Sequence, residues 1–101
     1  MAKIAKKEKS DGLYRALLTL KTEEEVYNFF QDLCTVMELR SMEQRFDVAV
    51  YLKQGLVYLD ILDKTGASSA TISRVRRSML DNGAGGVVGH VIDRVNEDKE
   101  S

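Results

Sequence analysis

Proline is missing from this sequence altogether. Regular β-branched alternation is also rare, while helical periodicity recurs along most of the chain. The expected fold class is therefore all-α, with about six helices. Cysteine occurs once, at Cys34, which excludes an intrachain disulfide. Its neighbours Phe30, Leu33 and Met37 mark it as a buried thiol rather than a reactive one. Histidine also occurs once, at His90. One histidine and one cysteine do not make a zinc ligand set, so no metal is expected. His90, on a glycine-flanked helix, reads as a surface or interface residue. No apolar run approaches the length of a membrane span and no secretory signal is visible, so the expected compartment is the cytoplasm, with no membrane partner. Internal repeats and low-complexity segments are absent too. The glycine-rich stretch from Asp81 to Gly86 lacks both the following Lys-Ser/Thr and the preceding strand of a phosphate loop. The run Glu23-Glu24-Glu25 suits the positive end of a helix macrodipole without any acid–base role. No constellation of residues supports an enzyme.

What is present is enough for one small domain: 101 residues with a formal net charge of -1. Residues 1–10 form a basic flexible tail, with an arm for phosphates as the sharper alternative. A single helical domain is expected over 11–96, and 97–101 is a polar tail. Asp11 caps a first helix over about 11–20, with Leu13, Leu17 and Leu20 inside. Thr22 caps a second, with Glu25 completing a capping box and Val26, Phe29, Phe30, Leu33 and Met37 as its apolar stripe. Ser41 and Gln44 give another capping box, opening a helix that stops at Gly55. On a helical wheel this central helix has a wide apolar arc: Met42, Phe46, Ala49 and Val50 on one side, Val48 and Leu52 across a gap. Arg45 points into that gap. A guanidinium there needs a counter-charge, and an internal carboxylate is the expected one, with a ligand or phosphate as the alternative. The last helix, about 87–96, turns Val87, Val88, Val91, Ile92 and Val95 inward.

The stretch from Tyr58 to Arg77 organises the rest. It reads as two short helices joined by a tight turn. Ile61 and Leu62 face inward on the first; Ile72, Val75 and Met79 make one stripe on the second. Gly66 stands where the first helix must stop, and Ser68 or Ser69 caps the next. This is the layout of a helix-turn-helix, whose second helix enters a DNA major groove. From Lys64 to Leu80 the chain has four basic residues and no acidic one. A local basic surface on a nearly neutral protein suits a specific nucleic-acid binder.

The order of helices, the segment Ser41-Met42-Glu43-Gln44-Arg45 and the segment Thr65-Gly66-Ala67-Ser68-Ser69-Ala70-Thr71-Ile72-Ser73-Arg74 resemble the Trp repressor superfamily, above all its TrpR-like proteins of the YerC/YecD type. The resemblance spans about residues 11–95. It implies an intertwined homodimer whose amino-terminal helices interlock. It also implies paired recognition helices about one DNA turn apart, and hence a palindromic operator in double-stranded DNA. A further implication is an amino-acid pocket, with Arg45 and Arg74 as its cationic frame and Thr35 and Ser78 near the ligand's polar groups. The chain departs from the repressor at Val75, where a glycine gives way to a side chain reaching toward the indole space. Ser68 and Ser69 replace a glycine and an isoleucine. Leu59 and Leu62 stand where the repressor has basic DNA-contacting residues. These departures argue against tryptophan as corepressor and for a different operator; packing or phosphate contacts are the alternative role for Arg45 and Arg74.

The function expected is a sequence-specific, dimeric DNA-binding transcription regulator, acting as a repressor. Ser68, Ser69, Ala70, Thr71 and Ser73 begin the recognition helix, where short side chains approach base edges or hold bridging waters. Arg76, Arg77 and Lys64 hold phosphates. A small-molecule corepressor gating the reading heads stays open. The rival from another class is a dimeric protein-interaction module that keeps the fold without DNA binding, with Leu59 and Leu62 as its partner surface.

Overall fold

The computed structural model describes residues 9–81 and 86–100. Most of the basic tail and the centre of the glycine-rich break lie outside them. Among the described residues there are six helices and no strand: α1 (Asp11–Leu17), α2 (Glu23–Leu33), α3 (Val36–Lys53), α4 (Tyr58–Thr65), α5 (Ser69–Asp81) and α6 (Gly86–Glu100). The all-α expectation holds. They divide into two units, one ending at Val36 and one beginning at Met37.

In the first unit, α1 ends at Leu17, short of the expected Leu20. The cause is local. Thr19 turns its hydroxyl back onto the Ala16 carbonyl at 2.7 Å, and the Thr19 N–H takes the same oxygen at 3.0 Å. Such back-bonding tightens the last turn into i→i−3 winding and ends the helix. Thr22 caps α2 as expected, its hydroxyl accepting the Glu25 N–H at 3.0 Å. Glu25 reaches one residue further back than a standard capping box requires. Its carboxylate accepts the N–H of Lys21 at 2.7 Å, not that of Thr22. Phe29 and Phe30 meet edge to face with centroids 5.7 Å apart. Neither α1 nor α2 has a fully buried residue. The expected stripe is therefore only half covered in the single chain, and Cys34 is half-buried rather than sealed.

In the second unit, α3 overturns one expectation. Ser41 opens no helix; it lies inside α3, which already begins at Val36. Nothing from Val36 to Arg40 breaks a helix, and serine is tolerated in a helix interior, so the helix runs through the apparent cap. The other end is as expected. Gly55 has φ 87°, the Gly55 N–H reaches the Leu52 carbonyl at 3.0 Å, and the Leu56 N–H reaches that of Tyr51 at 3.1 Å. That bond pair is a Schellman stop, and its left-handed residue is cheap only for glycine.

Two small cores hold α3 to α6 together. Val48, Ile61, Ala67 and Ile72 form one, sealed by Tyr51, Leu56 and Tyr58. Ala49, Met79 and Ile92 form the other. Leu52 and Val75 touch both. Adjacent residues on α3, Val48 and Ala49, thus serve different cores, which is how one wide apolar arc meets several neighbours. Burying each of the larger side chains, such as Val48, Ile61 and Ile72, stabilises the fold by roughly 1.5–3 kcal/mol. Leu62, expected inward beside Ile61, is 43% exposed. Neighbours on a helix point about 100° apart, and only Ile61 faces the core.

Helix α6 corrects the sequence in the same way. Gly86 and Gly89 are buried with Ile92, one face at spacing three, whereas Val87, Val88 and Val95 are exposed. The small residues face inward because α6 packs against α5, and a missing side chain permits close approach. The helix also runs past residue 96 to Glu100. Lys53 on α3 meets Asp93 on α6 at 3.3 Å. His90 is exposed, as expected of a surface residue.

Candidate nucleic-acid interface

Gly66 turns α4 into α5. Its φ is 73°, and its N–H bonds the Leu62 carbonyl at 2.8 Å. Thr65 adds two bonds at the same place. Its hydroxyl donates to the Ile61 carbonyl at 2.7 Å and accepts the Ala67 N–H at 3.1 Å. Ala67 is small enough to be buried in the turn against Ile61 and Ile72. Ser68, not Ser69, caps α5, accepting the Thr71 N–H at 3.1 Å. The start of the second helix is therefore fixed from both sides.

The inward stripe of α5 is Ile72, Val75 and Met79, with Ile72 and Met79 buried and Val75 half-buried. The opposite sector of the helix carries Ala70, Ser73, Arg74 and Arg77. Ser69, Ala70, Arg74, Arg76 and Arg77 are exposed; Thr71 and Ser73 are half-buried. Arg76 lies on the flank beside Ser69 and is not in line with Arg77, so the two arginines address different directions. Lys64 is exposed at the end of α4, with Nζ 5.9 Å from the centre of the Tyr51 ring. That cation–π contact holds the lysine beside the turn but leaves it accessible. All eight residues expected to meet DNA (Lys64, Ser68, Ser69, Ala70, Thr71, Ser73, Arg76 and Arg77) thus fall on the turn and the helices flanking it.

Arg45, Arg74 and Ser78 line one groove of about 520 Å³, together with Met42, Phe46, Ala49, Val75, Met79 and Val88. Thr35 lies in the other unit, in the short link between α2 and α3. The internal carboxylate expected for Arg45 is not there: among the described residues it makes no ion pair. The side chain is exposed and keeps its hydration, so no buried charge demands a partner. Val75 lines the groove, in keeping with a side chain that narrows it. A groove of this size, apolar apart from two guanidinium groups and one hydroxyl, matches a small anion with an apolar body.

Sequence reasoning read Gln44 as half of a capping box and missed that its side-chain amide donates to the Thr65 carbonyl at 3.1 Å. It also missed Met42, Phe46 and Val88 as groove residues. A bond between positions 21 residues apart has no local sequence signal. Among the described residues no cluster of His, Cys, Asp and Glu could hold a metal, and no helix is long and apolar enough to cross a membrane.

Residues 8–93 match the family described as Trp repressor protein. The chain is 46% identical over 87 residues to the protein YerC of Bacillus subtilis (strain 168), covering 86% of this chain and 82% of that one. A TrpR-like protein from Eubacterium eligens ATCC 27750 superposes with a TM-score of 0.76 at 46% identity, over 85% of this chain and 87% of that one. A candidate Trp repressor from Staphylococcus aureus does so with a TM-score of 0.76 at 48% identity, over 85% and 84%. By the match along most of its length and by these relatives, the chain belongs to the Trp repressor protein family.

Proposed function

We propose that this chain is a sequence-specific DNA-binding transcription regulator that acts as a homodimeric repressor on a palindromic operator. One observation carries the proposal: an exposed helix face of hydroxyls and arginines, α5, stands on a sealed core and is fixed at its start by Gly66 and Ser68. Ser69, Ala70 and Ser73 approach base edges, with Ser68 and Thr71 beside them. Lys64, Arg76 and Arg77 meet phosphates, and their distribution over two directions suits a helix lying between two strands.

The apolar surface of the single chain supports the homodimer. Leu18 is 87% exposed and Met37 78%, and Leu33 and Val36 are open as well. Large apolar side chains in such number call for a covering surface. A second copy supplies one, and two-fold symmetry then matches a palindromic site. The groove lined by Arg45, Arg74 and Ser78 takes a small anionic ligand that adjusts α5; Thr35 has only the family resemblance behind it. Val75 in the lining disfavours an indole.

Selecting bound oligonucleotides from a random pool tests the proposal. Recovery of a palindrome with half-sites about one helical turn apart is the expected result. Recovery of no common sequence would refute sequence-specific reading.

A second reading has its own observation. Leu59 on α4 is 77% exposed and Leu62 lies beside the same helix's outer surface. These could serve a protein partner in a module that does not bind DNA. Retention on heparin or bulk DNA at low salt separates the two readings: retention favours the regulator, its absence the module.

A further inference from the structure

We infer that Gln44 is a positioning residue for the reading helix: its amide fastens the turn of the helix-turn-helix to α3. The bond is the one from Gln44 Nε2 to the Thr65 carbonyl, 3.1 Å long and part-buried. It joins positions far apart in sequence and does not belong to any helix. Thr65 is the last residue of α4, where carbonyls lack intrahelical partners. Its hydroxyl is already used twice, on the Ile61 carbonyl and the Ala67 N–H. With Gln44 on its carbonyl, Thr65 has both its hydroxyl and its carbonyl engaged beside Gly66.

The place of Gln44 on α3 gives the bond its leverage. One turn further on, Val48 packs with Ile61, Ala67 and Ile72. Gln44 therefore continues the same face of α3, by a hydrogen bond where Val48 uses apolar contact. The apolar core also holds α4 and α5 against α3, but apolar packing is non-directional. A hydrogen bond is directional, so it fixes the rotation of the turn about that contact. Ser68 and the exposed start of α5 follow directly. The residue after Gln44 is Arg45, which lines the groove with Arg74. One short stretch of α3 thus touches both the groove and the turn.

The inference rests on the DNA-binding reading, and its test is arranged so that the two can fail separately. Gln44→Leu keeps the size and removes the donor; Gln44→Lys keeps a donor on a chain of similar reach. Both are compared with the parent by circular dichroism, by amide hydrogen exchange at Gly66 and Ala67, and by binding to the selected site and to bulk DNA. Gln44→Leu is expected to retain its helix content and its bulk-DNA binding. It should exchange faster at Gly66 and Ala67 and bind the selected site about fivefold to tenfold more weakly, the loss of one net hydrogen bond. Gln44→Lys should stay within about threefold of the parent. If Gln44→Leu leaves exchange and selectivity unchanged, or Gln44→Lys loses as much as Gln44→Leu, the positioning role is wrong. If Gln44→Leu does not fold, Gln44→Lys decides: parental exchange supports the role and faster exchange overturns it. Should the parent select no DNA at all, the regulator reading fails, and exchange at the turn alone then judges Gln44.

Discussion

The Ser68 hydroxyl donates to the Thr71 hydroxyl oxygen at 3.1 Å while accepting the Thr71 N–H at the same length. One small side chain thereby caps α5 and orients Thr71 in its first turn. Ser68→Ala should cost about 1 kcal/mol, the usual loss for a missing cap, read as a lower urea midpoint with unchanged slope. Ser68→Asp separates stability from reading. Aspartate caps as well as serine and suits the helix dipole, so the midpoint should hold. The added charge faces phosphate, so DNA binding should weaken. Equal DNA affinity in the aspartate variant would mean that the start of α5 does not approach the duplex.

Gly66 is needed for its backbone, not for space. A Cβ built on it meets no atom within 4 Å, yet its φ is +73°. Gly66→Ala should therefore destabilise by roughly 1–2 kcal/mol through left-handed strain alone. Thermal or urea unfolding measures this. A neutral substitution would show that the turn relaxes to another geometry.

The two apolar residues of α4 should behave in opposite ways. Ile61 is fully buried and Leu59 is 77% exposed. Ile61→Ala should cost about 2–5 kcal/mol, and Leu59→Ala within about 0.5 kcal/mol of nothing. If Leu59→Ala also lowers stability strongly, and does so in a manner that depends on protein concentration, Leu59 belongs to the subunit contact and not to a free surface.

The groove makes a prediction about ligands. Small carboxylates with aliphatic or aromatic bodies should raise the melting temperature of the parent, by up to about 2.7 kcal/mol of stabilisation at a hundredfold excess over Kd. Arg45→Gln and Arg74→Gln should each abolish the shift, since both guanidinium groups line the same groove. A melting temperature unmoved by every compound removes the reason for a ligand gate and leaves the arginines to phosphate.

Much of the second unit was legible in the sequence because its signals are local. Gly66 before a serine, and Ile72, Val75 and Met79 at spacings of three and four, state a stop, a cap and a stripe within one short segment. Gly55 announced its own left-handed stop. The misreadings share a cause: local patterns are silent about neighbours. Ser41 and Gln44 have the spacing of a capping box, but a helix already running from Val36 passes through them. The valines of α6 read as its inner face, yet Gly86 and Gly89 take that place because α5 comes close. Glu25 chose the N–H of Lys21 over that of Thr22, a difference of one residue that spacing does not decide. Of the site, the identity of the turn and of the groove arginines could be read. The bond from Gln44 to Thr65 could not, because only the folded chain brings the two together.

The most direct measurement is fluorescence anisotropy of a duplex, titrated with the protein over a series of salt concentrations, for the parent and for Arg77→Ala. Log K should fall linearly with log salt, and the slope should shrink by roughly 0.9 in the variant if Arg77 neutralises one phosphate. Binding that does not respond to salt, or no binding to any duplex at low salt, contradicts a role for α5 in reading DNA.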